Sequence, residues 1–281
     1  MLPALVLAAV GLSGAPPTLV RYDVVEAIRA LTPAGPRDRA VAGTVTAMGG
    51  KARWDLTASR FPDVRARSAL WGGGGLVLLD PDASVATPVS AEEFGELFQA
   101  PPGAAGLSTA GVRDLSASVA RDGKGAPFEG IPTERWAVRC SWTLVSAQPG
   151  RLVRVKHEVL GKIETIEDPS LSPTPFDDLL RLFRARGEAR EALEAQLRKL
   201  KGLPVRVRLD ETSEALAEAV GAAGGGAAPG SPVRATSTTT RTVSNLRRRP
   251  AAEGDASLFT VPESYRSVPL ERVKTGSPRL P

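Results

Sequence analysis

The chain has 281 residues, 36 of them basic and 31 acidic, with a formal net charge of +5, 42% hydrophobic residues and only 5% aromatic ones. That length suffices for one large domain or two small ones, with a core built mainly from Val, Leu and Ala. So small and interspersed a charge excess points to plain solubility rather than a polyanion-binding surface, and the single cysteine, Cys140, excludes an intrachain disulfide.

Residues 1–15, MLPALVLAAVGLSGA, form an uncharged apolar run ending in small residues. This is the pattern of a signal-peptide apolar region with its cleavage zone, and it is too short for a spanning helix. Two features depart from the pattern: no Lys or Arg precedes the run, and Pro16 follows Ala15. No cysteine lies near position 15 to carry a lipid. The expectation is an exported protein of the periplasm or cell envelope with no transmembrane span.

In YDVVEAIRAL (22–31), Val24, Val25, Ile28 and Leu31 recur at helical spacing, which predicts a short amphipathic helix ended by Thr32-Pro33. Extended segments follow. AVAGTVTAM (40–48) and KARWDLTA (51–58) flank Gly49-Gly50 and predict a hairpin. VRARSALW (64–71), GLVLLD (75–80) and SVATPVS (84–90) come next, the last an edge strand or no strand because of Pro88. DLSASVAR (114–121), TERWAVRCSWTLV (133–145), RLVRVKHEVLG (151–161), LPVRVRLDETSE (203–214) and RATSTTTRTVSNLRRR (234–249) complete a series of nine or ten strands without βαβ rhythm, hence one antiparallel sheet system. Two helical interruptions are expected. One is AEEFGELF (91–98), capped by Ser90. The other is 175–202, with Phe176, Leu179, Leu180, Phe183, Leu193, Leu197 and Leu200 on one face and Gly187 dividing it. The stretch 221–232 reads as a flexible glycine-rich loop and 270–281 as a disordered tail. A single domain over 16–269 results.

Motifs for chemistry are sparse. The one histidine, His157, shares a strand face with Val153, Val155 and Val159, and no G-x-S-x-G selects a serine for it. One His and one Cys cannot make a His- or thiolate-rich metal site. Cys140 reads as a buried small hydrophobe. WGGGGL (71–76) lacks the Lys-Ser/Thr of a phosphate loop and reads as a turn. LRRR (246–249) is a solvated strand end without the wide basic stripe and aromatics of a nucleic-acid reader, so no nucleic-acid partner is expected. Glu164, Glu167 and Asp168 read as surface charge.

The blocks GLPVRVRLDETSE, TSTTTRTVSNL and DASLFTVPESYRSV, with GIPTERWAV (130–138) and GLVLLDPDASVATPV (75–89) upstream, resemble uncharacterised exported bacterial proteins related to the outer-membrane lipoprotein carrier LolA and its LolB-like relatives. The matching blocks span roughly 40–269. The resemblance implies a mainly β (α+β) fold, a strongly curved antiparallel sheet or incomplete barrel closed by helices, with 175–201 as a lid. In the terminal block, Asp255 and Ser257 would turn, Leu258 and Phe259 would anchor a last strand ended by Val261-Pro262, and Tyr265 would sit at the rim. The implied function is a non-catalytic binding protein for an acyl chain, lipid or lipidated partner, without cofactor or metal. The cavity-lining candidates are Trp54, Trp71, Trp136, Trp142, Leu179, Phe183, Leu193 and Leu197. Two other readings compete with it: an envelope structural or interaction module with a filled core and no ligand, and a hydrolase built on His157.

Overall fold

The structure, a computed structural model, describes residues 17–57, 64–72, 75–90, 93–94, 97, 111–148, 151–167, 179–183, 185, 187–219 and 232–274. The expected signal segment and all but Pro232 of the glycine-rich stretch 221–232 lie outside the described residues.

Twelve strands are described: β1 (Thr18–Thr32), β2 (Gly35–Met48), β3 (Lys51–Leu56), β4 (Ser68–Gly72), β5 (Gly75–Asp80), β6 (Val85–Val89), β7 (Gly111–Lys124), β8 (Glu134–Gln148), β9 (Arg151–Ile166), β10 (Leu203–Ala219), β11 (Val233–Pro250) and β12 (Arg266–Ser267). They form one sheet in the order β12-β6-β5-β4-β3-β2-β1-β11-β10-β9-β8-β7. Every neighbouring pair is antiparallel except β12 with β6. The chain thus makes two meanders, β1 to β6 and β7 to β11. They are joined where β1 pairs with β11, from Thr18 opposite Pro250 to Leu31 opposite Thr236.

This architecture overturns the α+β, helix-closed barrel. Among the described residues the sheet is open, with β7 and β12 as edges, and only one α-helix is described in full, α1 (Gly187–Leu197). Residues 22–31 belong to β1, not to a helix. Their apolar spacing fits a period of 3.6, but the stretch also alternates. Val20, Tyr22, Val24, Glu26 and Ala30 are buried, while Arg21, Val25, Arg29 and Leu31 are exposed. Ladders to β2 and β11 on both sides decide between the two periods. The stretch 175–202 divides at Gly187, as its glycine predicts, but the described residues before Gly187 are not a regular α-helix. Its described part starts with helical residues 179–180, tightens into a 3₁₀ turn at Arg181–Phe183, and restarts as α1. Gly187 has φ +50, a left-handed conformation that no continuous α-helix passes through.

The terminal block departs from expectation too. Residues Asp255–Phe259 form a 3₁₀ turn rather than a strand, and Leu258 is exposed, leaving Phe259 as the anchor. Tyr265 packs beside Leu70, Leu79 and Ala86 on the outer face of the sheet. Leu270 and Val273 are buried in the main core, so the packed unit runs past 269, where the reading placed a disordered tail. Asp255 organises this region. Its carboxylate accepts two hydrogen bonds from Arg249, each 2.7 Å, and one from the Ala252 amide at 2.6 Å. The Arg249 hydrogen bond leads the causes that hold its pKa at about 2.

Apolar side chains on the inner face form two separate cores. The first gathers Tyr22, Val45, Trp54, Trp71, Leu78 and their neighbours on β1 to β6, together with Phe94, Phe128, Leu203 and Val205. The second gathers Trp136, Val138, Trp142, Val159, Ile163 and Leu209 on β8 to β10. It is covered by Leu179, Leu180, Phe183, Ala189, Leu193, Leu197 and Leu200. The edge strand β7 is bulged and mostly polar, a common protection against strand addition.

Candidate functional site

Between the two cores runs a polar seam. It begins with the sequence of β11. This strand lies in the middle of the sheet, where an alternating apolar face is expected. Its inward residues Ser237, Thr239 and Arg241 are polar yet buried, and only Val243 restores the apolar pattern. Its other face carries Thr236, Thr238, Thr240 and Thr242. Cross-strand pairing places one inward row across six strands: Val41, Glu26, Arg241, Val207, Ile163 and Trp136. The two charged members are the second and third of the row, directly opposite each other on β1 and β11.

Glu26 is 3% exposed and is bracketed by two guanidinium groups. Arg241 Nη1 lies 3.7 Å from its Oε1, and Arg181 donates to the same oxygen from the 3₁₀ turn of the covering segment. The Arg181 guanidinium also lies 5.0 Å from the Trp54 ring and 5.7 Å from that of Phe94. Trp71 completes the aromatic group, 6.4 Å from Trp54 and edge-on to Phe94 at 5.5 Å. Arg181 therefore reaches out of the second core into the first. Gly43 makes room for this arrangement: a Cβ there would stand 2.7 Å from Trp54 Nε1 and 2.3 Å from the Asp55 carbonyl oxygen.

Further along the seam lies a second polar group. Glu211 is opposite Ser237, and Ser213 is opposite His157. Ser213 Oγ is 3.0 Å from His157 Nδ1, Glu211 Oε1 is 3.4 Å from the same nitrogen, and Ser237 donates to Glu211 Oε2 at 3.3 Å. The imidazole stacks on Trp142 with centroids 4.9 Å apart and planes 12° apart. Serine, histidine and carboxylate are thus together, but not as a nucleophilic relay. A relay needs the hydroxyl and the acid on opposite ring nitrogens, and here both converge on Nδ1.

The eight cavity candidates divide between the cores and do not meet in one place. Trp54 and Trp71 lie in the first, while Trp136, Trp142, Leu179, Phe183, Leu193 and Leu197 lie in the second. Their exposures run from 0 to 8%. Cys140 is buried in the second core, and desolvation raises its thiol to about 11. Glu164, read as surface charge, is mostly buried and accepts from Arg206 at 2.6 Å. No group of three or more metal-ligating side chains occurs among the described residues. No described helix is long and apolar enough to cross a membrane.

Glu26, Arg181, Arg241, Glu211 and Ser213 are not among the residues that the sequence singles out. A signal was present for three of them, since each is a charge embedded in an apolar or Thr-rich run: VVEAI, DLLRLF and TTTRTV. Glu211 and Ser213 carry no such mark, because LDETSE reads as an ordinary polar strand end.

No family model matches the chain, and no curated protein matches it. Among solved structures, Neisserial surface protein A is similar over 85% of this chain and 100% of its own at 6% identity. The TM-score is 0.13, too low to bear on the fold.

Proposed function

We propose that the chain is a non-catalytic interaction module of the cell envelope that works with a filled interior. The observation that carries this reading is the burial of the eight candidate cavity residues. Side chains 0 to 8% exposed touch almost no space that a water molecule could enter. The covering segment 179–200 supplies part of the second core rather than spanning a void. The signal-like run at residues 1–15 and the blocks resembling exported LolA- and LolB-related proteins support the envelope setting. The arrangement at His157 supports the absence of hydrolytic chemistry, since acid and hydroxyl share one nitrogen.

A second reading, binding of an acyl chain or lipidated partner, is favoured by one feature. Beyond the seam the inner face continues through Ile28, Leu144 and Val153, apolar residues that are only half-buried, beside the polar group at His157. Native mass spectrometry of the protein purified from periplasm without detergent separates the two. The filled-interior reading expects the bare chain mass, unchanged after incubation with envelope lipids. A discrete added mass, lost on organic extraction and identified as lipid, overturns it in favour of the second.

A further inference from the structure

We propose that Trp54, Phe94 and Glu26 form a cation-recognition site for an alkylguanidinium group, which the chain fills in cis with Arg181. The parts are those that recognise such cations. Two aromatic faces lie within 6 Å of the charge, and a carboxylate is placed to accept from it. The rings of the site belong to the first core, its carboxylate to the seam, and its occupant to the segment that covers the second core. Arg181 is therefore an internal ligand that ties the covering segment across the seam, a role its three flanking residues Leu180, Leu182 and Phe183 do not share, since they pack within the second core.

The planar guanidinium suits this place better than an ammonium would. It is more weakly hydrated, so burial costs it less, and it can stack on a ring while its edge donates to a carboxylate. Arg241 faces Glu26 from the opposite strand at 3.7 Å and adds a second positive charge beside the carboxylate.

The test is chemical rescue of the full chain. Arg181→Ala leaves a box of the right chemistry without its occupant. Ethylguanidinium at millimolar concentration is the probe, with ethylammonium as the comparison. At about ten times its dissociation constant, ethylguanidinium is expected to raise the folding equilibrium constant of the variant about tenfold. It should leave the unsubstituted chain unmoved, and ethylammonium should have less effect. Adding Glu26→Gln or Trp54→Leu should abolish the rescue. If Arg181→Ala does not fold, its refolding yield with and without ethylguanidinium is the readout, and a selective gain supports the site. Equal response of Arg181→Ala and the unsubstituted chain, or rescue that persists in the Trp54→Leu and Glu26→Gln doubles, overturns the proposal.

Discussion

Leu193 and Leu78 test whether the inner face holds two cores. Leu193 is completely buried in the segment that covers β8 to β10, and Leu78 is all but completely buried on β5, on the other side of the seam. Truncating either to Ala loses the transfer energy of a buried leucine, about 2 kcal/mol, and leaves a cavity in well-packed surroundings. The sum is about 3 kcal/mol or more at each site. Because the two side chains belong to separate clusters, the double variant should lose about the sum, with a coupling under roughly 0.5 kcal/mol. Urea unfolding followed by circular dichroism measures all four corners of the cycle, in a stabilising osmolyte so that the double variant stays folded. A cost below about 1 kcal/mol at either site would mean that its neighbourhood is not packed as described. A coupling above about 1 kcal/mol would mean that the cores are continuous across the seam.

Asp255 gives a pH signature. Its folded pKa, held down to about 2 by Arg249, is below the unfolded value near 3.8, so its stabilisation is fully present above the unfolded pKa. It is lost as pH falls from about 4 through 2, and Asp255→Asn should flatten the stability profile in that window alone. An unchanged slope between pH 4 and 2 in that variant contradicts the pairing. At Gly43, Ala places a methyl against the Asp55 carbonyl and the Trp54 indole. The expected results are a loss of about 1–3 kcal/mol and a shift in tryptophan emission. Wild-type stability in Gly43→Ala would show that the strands are farther apart there.

Much of the sheet was legible because strand signals in this chain are local. The Gly49-Gly50 turn between alternating runs yields the β2–β3 hairpin, with Met48 opposite Lys51. Pro88 marks β6 as nearly an edge, joined on its far side only by the two residues of β12. Ser90 caps the next segment through a reciprocal pair with Glu93: the Glu93 amide donates to Ser90 Oγ, and the Ser90 amide donates to the Glu93 carboxylate. What failed was whatever depended on distant partners. A ten-residue stretch with both periods cannot choose between helix and strand by itself, and β1 becomes a strand because β11, two hundred residues later, pairs along it. The seam was illegible for the same reason. Glu26, Arg181 and Arg241 each stand out as a lone charge in an apolar or Thr-rich run, but nothing local says that the fold brings them to one point. The expected anchors Leu258 and Phe259 separated because a 3₁₀ turn, not a strand, carries them.

The seam also poses a question of register. A buried ion cluster is a poor source of stability, since desolvation offsets most of its Coulombic gain. Strand β11 has little other means of choosing its alignment. With Ser and Thr on both faces, a one-residue slip against β1 exchanges one polar face for another instead of burying polar groups in place of apolar ones. The Glu26–Arg241 opposition distinguishes the two alignments, because a slip places a threonine opposite a buried carboxylate. A triple variant, Glu26→Leu with Arg241→Leu and Arg181→Met, should therefore keep or slightly raise stability while losing uniqueness. Amide resonances of β1 and β11 should double, and hydrogen exchange along that ladder should become heterogeneous, while β4, β5 and β8 stay single. A triple variant with one sharp set of signals throughout would show that the apolar pair Val24 with Val243 and the bulge between Arg21 and Asp23 fix the β1–β11 register without the charges.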